Sequence, residues 1–319
     1  MALLEIDDLV TSFPGTSGDD AAVDGVSLAL DAGRTLGLVG ESGCGKTMTA
    51  LSILRLLPPR ARIVRGSIRF DGIELTSLPE ASLRRLRGSD IAMIFQEPMA
   101  ALNPVFTIGD QIAEGVRAHE GSSRRAARKR AEELLELVEI PEARRRLDAY
   151  PHQLSGGMRQ RAMIAIALAC QPRVLIADEP TTALDVTIQA QILDLIVDLQ
   201  RRFGMALLLV THDLGVVAER ADTAAIMYAG KVVESGPVDA IFAAPHHPYT
   251  RGLLRSLPRL DAPTDEPLVA IPGIVPEIGR RPSGCRFRDR CDREIPPCAE
   301  TVPPLRTIGR DHVSACIRD

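Results

Sequence analysis

The residues best suited to chemistry begin with Gly40-Glu41-Ser42-Gly43-Cys44-Gly45-Lys46-Thr47. This is the pattern G-x-x-x-x-G-K-[ST]. Its glycines let the backbone wrap closely and aim successive N–H groups at phosphates. Lys46 is placed to reach the β- and γ-phosphates, and the Thr47 hydroxyl to bind Mg²⁺. A second cluster closes the apolar run Val174-Leu175-Ile176-Ala177-Asp178-Glu179. At a strand end, Asp178 suits a water-mediated Mg²⁺ contact, and Glu179 can polarise a water attacking the γ-phosphate. Gln96, after Asp-Ile-Ala-Met-Ile-Phe, could touch the Mg²⁺ or that water. His212, after the apolar run at 205–210, could contact the γ-phosphate.

Other residues could assist. Leu154-Ser155-Gly156-Gly157-Met158 precedes an apolar helix. The backbone N–H groups at its start offer a second anion site. Phe13 has the flat apolar ring that can stack on a base. Cys44 lies between glycines near a helix N-terminus, so a depressed pKa and reactivity toward thiol reagents are expected. Cys285-x₅-Cys291-x₆-Cys298-x₁₇-Cys316 supplies four thiolates. Four thiolates suit tetrahedral Zn²⁺ or a cubane iron–sulfur cluster, and the spacing, which lacks any C-x-x-C pair, does not decide between them.

These groups need elements to hold them. Residues 35–39 read as a buried strand leading into the phosphate loop, and 47–57 as the helix that follows it. Residues 3–13 and 23–30 read as strands, and 66–75 as a hairpin turning at Asp71-Gly72. Strands are expected at 90–96, 173–179 and 205–210, and a hairpin at 223–234 around Ala229-Gly230. From 97 to 157 the chain turns helical. Helices are expected at 110–119 and, capped by Ser122 or Ser123, up to Val138. The run Arg124-Arg125 and Arg128-Lys129-Arg130 reads as a solvated helix face, with Leu134, Leu135 and Val138 inward. Residues 186–202 form an amphipathic helix, and 237–243 a short one. Alternating strands and helices make this an α/β chain. From about 246 onward, rich in proline and arginine with little periodicity, it reads as an appendage to a domain spanning 1–245.

Composition sets limits. The chain has 319 residues, 45% of them hydrophobic, enough for one large domain and a sizeable core. Net charge is −4, from 38 basic and 42 acidic residues, which gives no support for a nucleic-acid-binding surface. The first ten residues carry Glu5, Asp7 and Asp8 and no basic n-region, so no signal peptide is expected. The apolar run 205–210 is far short of a membrane span. The chain is expected in the cytoplasm, reaching a membrane only through a partner.

Taken in order, the motif at 40–47, Gln96, the segment 154–158, Val174 to Glu179, Ala183-Leu184-Asp185 and His212 resemble the ATP-binding-cassette ATPases. The resemblance covers about residues 3–245. It implies a P-loop ATPase with a RecA-like, mostly parallel sheet core, an antiparallel β-subdomain and a helical subdomain at about 97–157. It implies that Phe13 stacks on adenine, and that Ser42, Gly43, Cys44, Gly45, Lys46 and Thr47 hold the phosphates. Thr47, Gln96 and Asp178 serve Mg²⁺, Glu179 is the base, and His212 meets the γ-phosphate. Ser155, Gly156 and Gly157 close over ATP on an opposing ATPase subunit, and Asp185 crosses that interface. Met158 stands where Gln is commoner.

Gln96-Glu97-Pro98-Met99-Ala100-Ala101-Leu102-Asn103-Pro104 and His247-Pro248-Tyr249-Thr250 are similar to ATPases of dipeptide and oligopeptide permeases. That narrower resemblance implies import of di- or oligopeptides, powered at the cytoplasmic face of the cell membrane. It implies two integral-membrane permease subunits, a second ATPase subunit, identical or different, and an extracytoplasmic binding protein. Nickel-permease ATPases share much of the pattern, and a soluble ATP-dependent switch or an exporter ATPase are further alternatives. The same resemblance implies a [4Fe–4S] cluster on Cys285, Cys291, Cys298 and Cys316, with Zn²⁺ as the alternative. Arg286, Arg288, Arg290 and Arg293 would then offset the charge of the thiolate-ligated centre.

Overall fold

The computed structural model describes residues 2–15, 19–182, 184–257 and 270–318. The chain forms two compact units. One comprises Met1–Leu30, Thr35–Thr76 and Leu209–Asp319, the other Asp31–Arg34 and Ser77–Leu208.

The first unit holds an antiparallel sheet in which Leu4–Pro14 lies between Asp19–Leu30 and Arg62–Phe70. The short strand Ile73–Glu74 pairs with Arg62–Phe70. Asp71 and Gly72 both take positive φ, 49° and 79°, as a two-residue hairpin turn of the primed type requires. The second strand begins at Asp19, earlier than its apolar pattern suggested.

Thr35–Val39 is buried at every residue and runs parallel to Thr223–Tyr228, with Leu36 opposite Thr223. Continuous apolar runs are what a strand covered on both faces needs. Lys231–Pro237 then pairs antiparallel with Thr223–Tyr228. Beyond it lie His312–Ser314 and Arg306–Gly309, drawn from the arginine- and proline-rich tail. Neither tail strand shows in the sequence pattern, because each is four residues or fewer. The helix Pro248–Arg255, with proline at its first position and His247 as cap, also escaped that pattern.

The second unit carries the parallel pair Ile91–Ile94 and Val174–Asp178, with Ile91 opposite Val174. Four of its helices start where a side chain accepts an unpaired first-turn N–H group. Thr107 caps Ile108–Glu120, Ser123 caps Arg124–Leu137, Ser155 caps Gly156–Ala167, and Asp185 caps Val186–Phe203. On Arg124–Leu137 the residues Ala127, Ala131, Leu134 and Leu135 are buried, while Arg124, Arg125, Arg128 and Lys129 are exposed. The basic run is a solvated face. The α/β expectation is met by parallel strand pairs, a separate antiparallel sheet and intervening helices. Among the described residues, no helix is long and apolar enough to cross a membrane.

Candidate functional site

In the first unit, the strand Thr35–Val39 delivers the chain into the phosphate loop, and the helix Lys46–Leu54 leaves it. Gly45 sits at φ 105°, and a β-carbon there would lie 2.7 Å from the Ala22 carbonyl oxygen. Only glycine meets both conditions. Lys46 is buried; its Nζ donates to the carbonyls of Gly40 at 2.7 Å and Glu41 at 3.1 Å. The ammonium therefore sits inside the loop. Ser42 and Gly43 are exposed on its rim, and Thr47 is half-buried at the helix start.

Glu41, which the motif leaves as an arbitrary residue, is held closely. Its N–H donates to the Tyr249 hydroxyl at 2.9 Å, and its carboxylate accepts two hydrogen bonds from Arg290.

Cys44 corrects the expectation of a reactive thiol. Its side chain is fully buried, and a β-carbon on Gly40 would come within 2.6 Å of its sulfur. Burial pushes the thiol up from its ordinary value, outweighing the pull of Lys46. A helix N-terminus and a cation favour the thiolate, but burial strips the water from its charge and here the loss of solvation wins.

In the second unit, Val174–Asp178 ends on Asp178, which is only 2% exposed. Glu179 follows in a left-handed conformation, φ 44°, that a non-glycine residue holds only under constraint. Two donors meet its carboxylate: Gln96 Nε2 and Thr182 Oγ1, each 3.1 Å from Oε2. Gln96 and Glu179, 83 residues apart, are thus in direct contact. Thr182 was missed in the sequence; its signal is the turn that returns Thr182 N–H to the Glu179 carbonyl at 3.2 Å. After Gln96, Met99 in the one-turn helix Pro98–Ala101 and Val105 and Phe106 beyond it are exposed by 54%, 72% and 53%, an apolar surface.

Ser155 and Gly156 are exposed, and Gly157 is partly so. The Ser155 hydroxyl accepts from Met158 N–H at 3.3 Å and so caps its helix from an exposed position. Asp185 is exposed and caps its own helix through Ile188 N–H at 3.1 Å. Ala183 lies outside the described residues. In the first unit, His212 is exposed after the strand Ala206–Thr211, and Phe13 is half-buried opposite Asp20.

The four tail cysteines share one electrostatic neighbourhood. Burial, then the proximity of Cys298, Cys291 and Cys316, pushes the Cys285 thiol up to about 11. Cys285 N–H donates to the Cys298 carbonyl at 2.8 Å. Among the described residues, no group of three or more His, Cys, Asp or Glu side chains is arranged to hold a metal ion. Two of the four arginines expected to offset thiolate charge are engaged elsewhere: Arg286 pairs with Asp24, and Arg290 with Glu41.

The tail is anchored by polar and aromatic contacts. Glu234 is completely buried; its carboxylate accepts from the N–H groups of His246 and His247, each at 2.9 Å, and lies 2.9 Å from His312 Nε2. Phe287 stands edge-on to Tyr228 at 5.1 Å and tilted against Tyr249 at 5.4 Å.

Comparison with known proteins adds to this geometry. Residues 23–182 match the family described as ABC transporter, and 233–298 match the oligopeptide/dipeptide transporter C-terminal region. The chain is 54% identical to a protein of Brucella melitensis whose name describes a peptide import ATP-binding protein; the match covers 99% of this chain and 97% of that one. It is 53% identical to a peptide ABC transporter ATP-binding protein of Sinorhizobium fredii, over 99% of this chain and 95% of that one. A solved ATP-binding cassette, a dimer in a post-hydrolysis state bound to ADP and Pi, matches 74% of this chain and 98% of its own at TM-score 0.66 and 28% identity. A protein of Clostridium perfringens that is part of an ABC transporter complex matches 76% of this chain and 91% of its own, at TM-score 0.64 and 26% identity.

Proposed function

The chain belongs to the ABC transporter family, and from that premise we propose that it is the ATP-hydrolysing subunit of a di- or oligopeptide importer. It works at the cytoplasmic face of the cell membrane through two separate permease subunits. The observation that carries this reading is the bond between Gln96 and Glu179. It joins the residue that polarises water to the start of a segment with exposed apolar side chains at Met99, Val105 and Phe106. A change at the γ-phosphate is felt by Glu179, passes to Gln96, and moves the surface offered to a permease.

The residues divide the work by charge. Lys46 and the loop amides hold the phosphates, and Glu179 accepts a proton from the attacking water. His212 meets the γ-phosphate, and Phe13 carries the adenine. Mg²⁺, when bound, neutralises charge developing on the phosphates. Within the first unit the half-buried Thr47 hydroxyl, and within the second the buried Asp178 carboxylate and Gln96, are oxygen donors of the kind Mg²⁺ takes. Ser155, Gly156, Gly157 and Asp185, all on the surface, act on a second ATPase subunit. The match of 233–298 to a peptide-transporter region supports the peptide class. A binding protein outside the membrane delivers the peptide.

Cys285, Cys291, Cys298 and Cys316 hold a [4Fe–4S] cluster in this reading. Cys285 and Cys291, whose ionisation is opposed by burial and by the neighbouring thiols, need a cationic centre to take the charge. A lone Zn²⁺ requires all its thiolates about 2.3 Å from one point. No such arrangement on a single ion is present among the described residues, so the cluster reading rests on the four cysteines and the surroundings that Cys285 shares with the other three. Iron and acid-labile sulfide in matching amounts, on chain purified without oxygen, are expected. Zinc without sulfide would replace the cluster by a structural ion.

The functional test is co-expression with the permease subunits and flux in vesicles. ATP-dependent uptake of a labelled dipeptide supports the reading. Nickel uptake without peptide uptake would move the chain to the nickel importers, and ATP hydrolysis without any membrane partner would make it a soluble switch.

A further inference from the structure

The phosphate loop carries an acid where phosphates must bind. Glu41 follows the first glycine of the motif and, left alone, would repel the anionic nucleotide. Its carboxylate faces Arg290 instead. Arg290 Nη1 lies 2.7 Å from Oε2, and Nη2 lies 3.1 Å from Oε1, a forked pair. Arg290 is itself fixed on every side. Its Nε donates to the Pro272 carbonyl at 2.7 Å, and its guanidinium stands 5.6 Å and 5.9 Å from the Tyr228 and Phe287 ring centres. The side chain is 7% exposed against 28% for Glu41, so the pair is shielded on the arginine side and open on the other.

Two more groups hold Glu41. The Tyr249 hydroxyl takes its N–H, and Lys46 donates to its carbonyl. Both tail groups, Tyr249 and Arg290, come from beyond residue 246 and are at least 208 positions away in sequence. Arg290 closes the single turn Arg288–Arg290 and is followed at once by Cys291. The same turn that sets Cys291 therefore presents a cation to the phosphate loop.

We propose that Arg290 is a positioning residue of the nucleotide site: the C-terminal extension reaches back to neutralise Glu41 and so sets the affinity of the phosphate loop for nucleotide. The proposal rests on the reading of the chain as an ATP-binding subunit. It follows that affinity tracks the charge of the pair. The native pair is neutral, Arg290→Gln leaves one negative charge, Glu41→Gln leaves one positive charge, and the double variant is neutral again. A purely structural role for the ion pair gives another pattern: either single change loosens the loop, and the double variant is no better.

The test is the Kd for a fluorescent ATP analogue, measured by titration without turnover on the full chain and its variants. Arg290→Gln is expected to weaken binding about ten-fold, within the usual range of coupling between neighbouring sites. Glu41→Gln is expected to tighten it about three-fold or more, and the double variant to return near the native value. The differences should shrink in high salt, as exposed-side electrostatics do. Equal binding by Arg290→Gln, or a double variant as weak as Arg290→Gln, overturns the proposal. Should Arg290→Gln fail to fold, Glu41→Gln decides alone: unchanged or weaker binding overturns it. Native chain that binds no nucleotide at all would instead overturn the ATPase reading.

Discussion

The phosphate loop and the extension that grips it are built by opposite means. The loop is eight consecutive residues shaped by glycine and by backbone hydrogen bonds, with Lys46 folded onto its carbonyls. The extension is held by side chains that travel far: Arg281 to the Ala21 carbonyl, Arg286 to Asp24 and the Ala229 carbonyl, and Arg290 to Glu41. Its buried hydrophobic residues are few among those described: Tyr249, Phe287, Cys298 and Ala315. Substitutions in the catalytic machinery should therefore cost turnover, and substitutions in the extension should first cost local stability.

The largest expected effect sharpens that division from the catalytic side. Glu179→Gln should lower ATP hydrolysis on the order of 10³-fold, the scale of losing a positioned base, and leave nucleotide binding intact. Single-turnover assays check it, and persistent hydrolysis would place the base elsewhere. Phe287→Ala comes next. It opens a cavity among Tyr228, Tyr249 and Phe287 and should cost the extension about 3–5 kcal/mol. Hydrogen exchange should rise first in residues 285–316, ahead of the helix Lys46–Leu54. Equal loss of protection in both would make loop and extension one cooperative element, breaking the comparison.

A smaller effect concerns acid. Burial alone would raise the Asp24 carboxyl, but Arg286 and Lys231 together hold it below the ordinary carboxylate range. A lowered folded pKa gives stability that is complete above the unfolded value and is lost as pH falls through the folded one. Acid should therefore loosen the extension at Asp24, and Asp24→Asn should remove that part of the pH dependence in denaturation curves. The smallest effect marks the limit. Arg255 and Asp292 are 3.8 Å apart with side chains 64% and 70% exposed, so Arg255→Ala should change stability by no more than about 0.5 kcal/mol.

The same contrast explains what could be read from the chain alone. Contiguous devices were legible. The loop at 40–47, the Asp71-Gly72 turn, a cap at Ser122 or Ser123 and the apolar strand closing on Asp178 and Glu179 all place cause and consequence within a few residues. Glu41 with Arg290, Gln96 with Glu179, and Glu234 with His312 were not, because each contact is made only by folding. The Cys44 error has the same origin. A helix N-terminus is visible in sequence, whereas the burial that overrides it is not. The tail strands Arg306–Gly309 and His312–Ser314 are too short to show a period, and their place comes from pairing with Lys231–Pro237.

The carboxylate of Glu234 carries a consequence for synthesis. His312, its side-chain partner, is 78 residues further along the chain. At about 5–20 residues per second, a ribosome needs roughly 4–16 seconds to add that stretch. During that time the strand Lys231–Pro237 has been made, but the edge that covers it has not, and its acid faces water in place of histidine. The nascent chain thus passes through a defined interval with an unpaired strand edge. A chaperone that recognises such edges has a fixed window in which to act, and it closes when residues 312–314 dock.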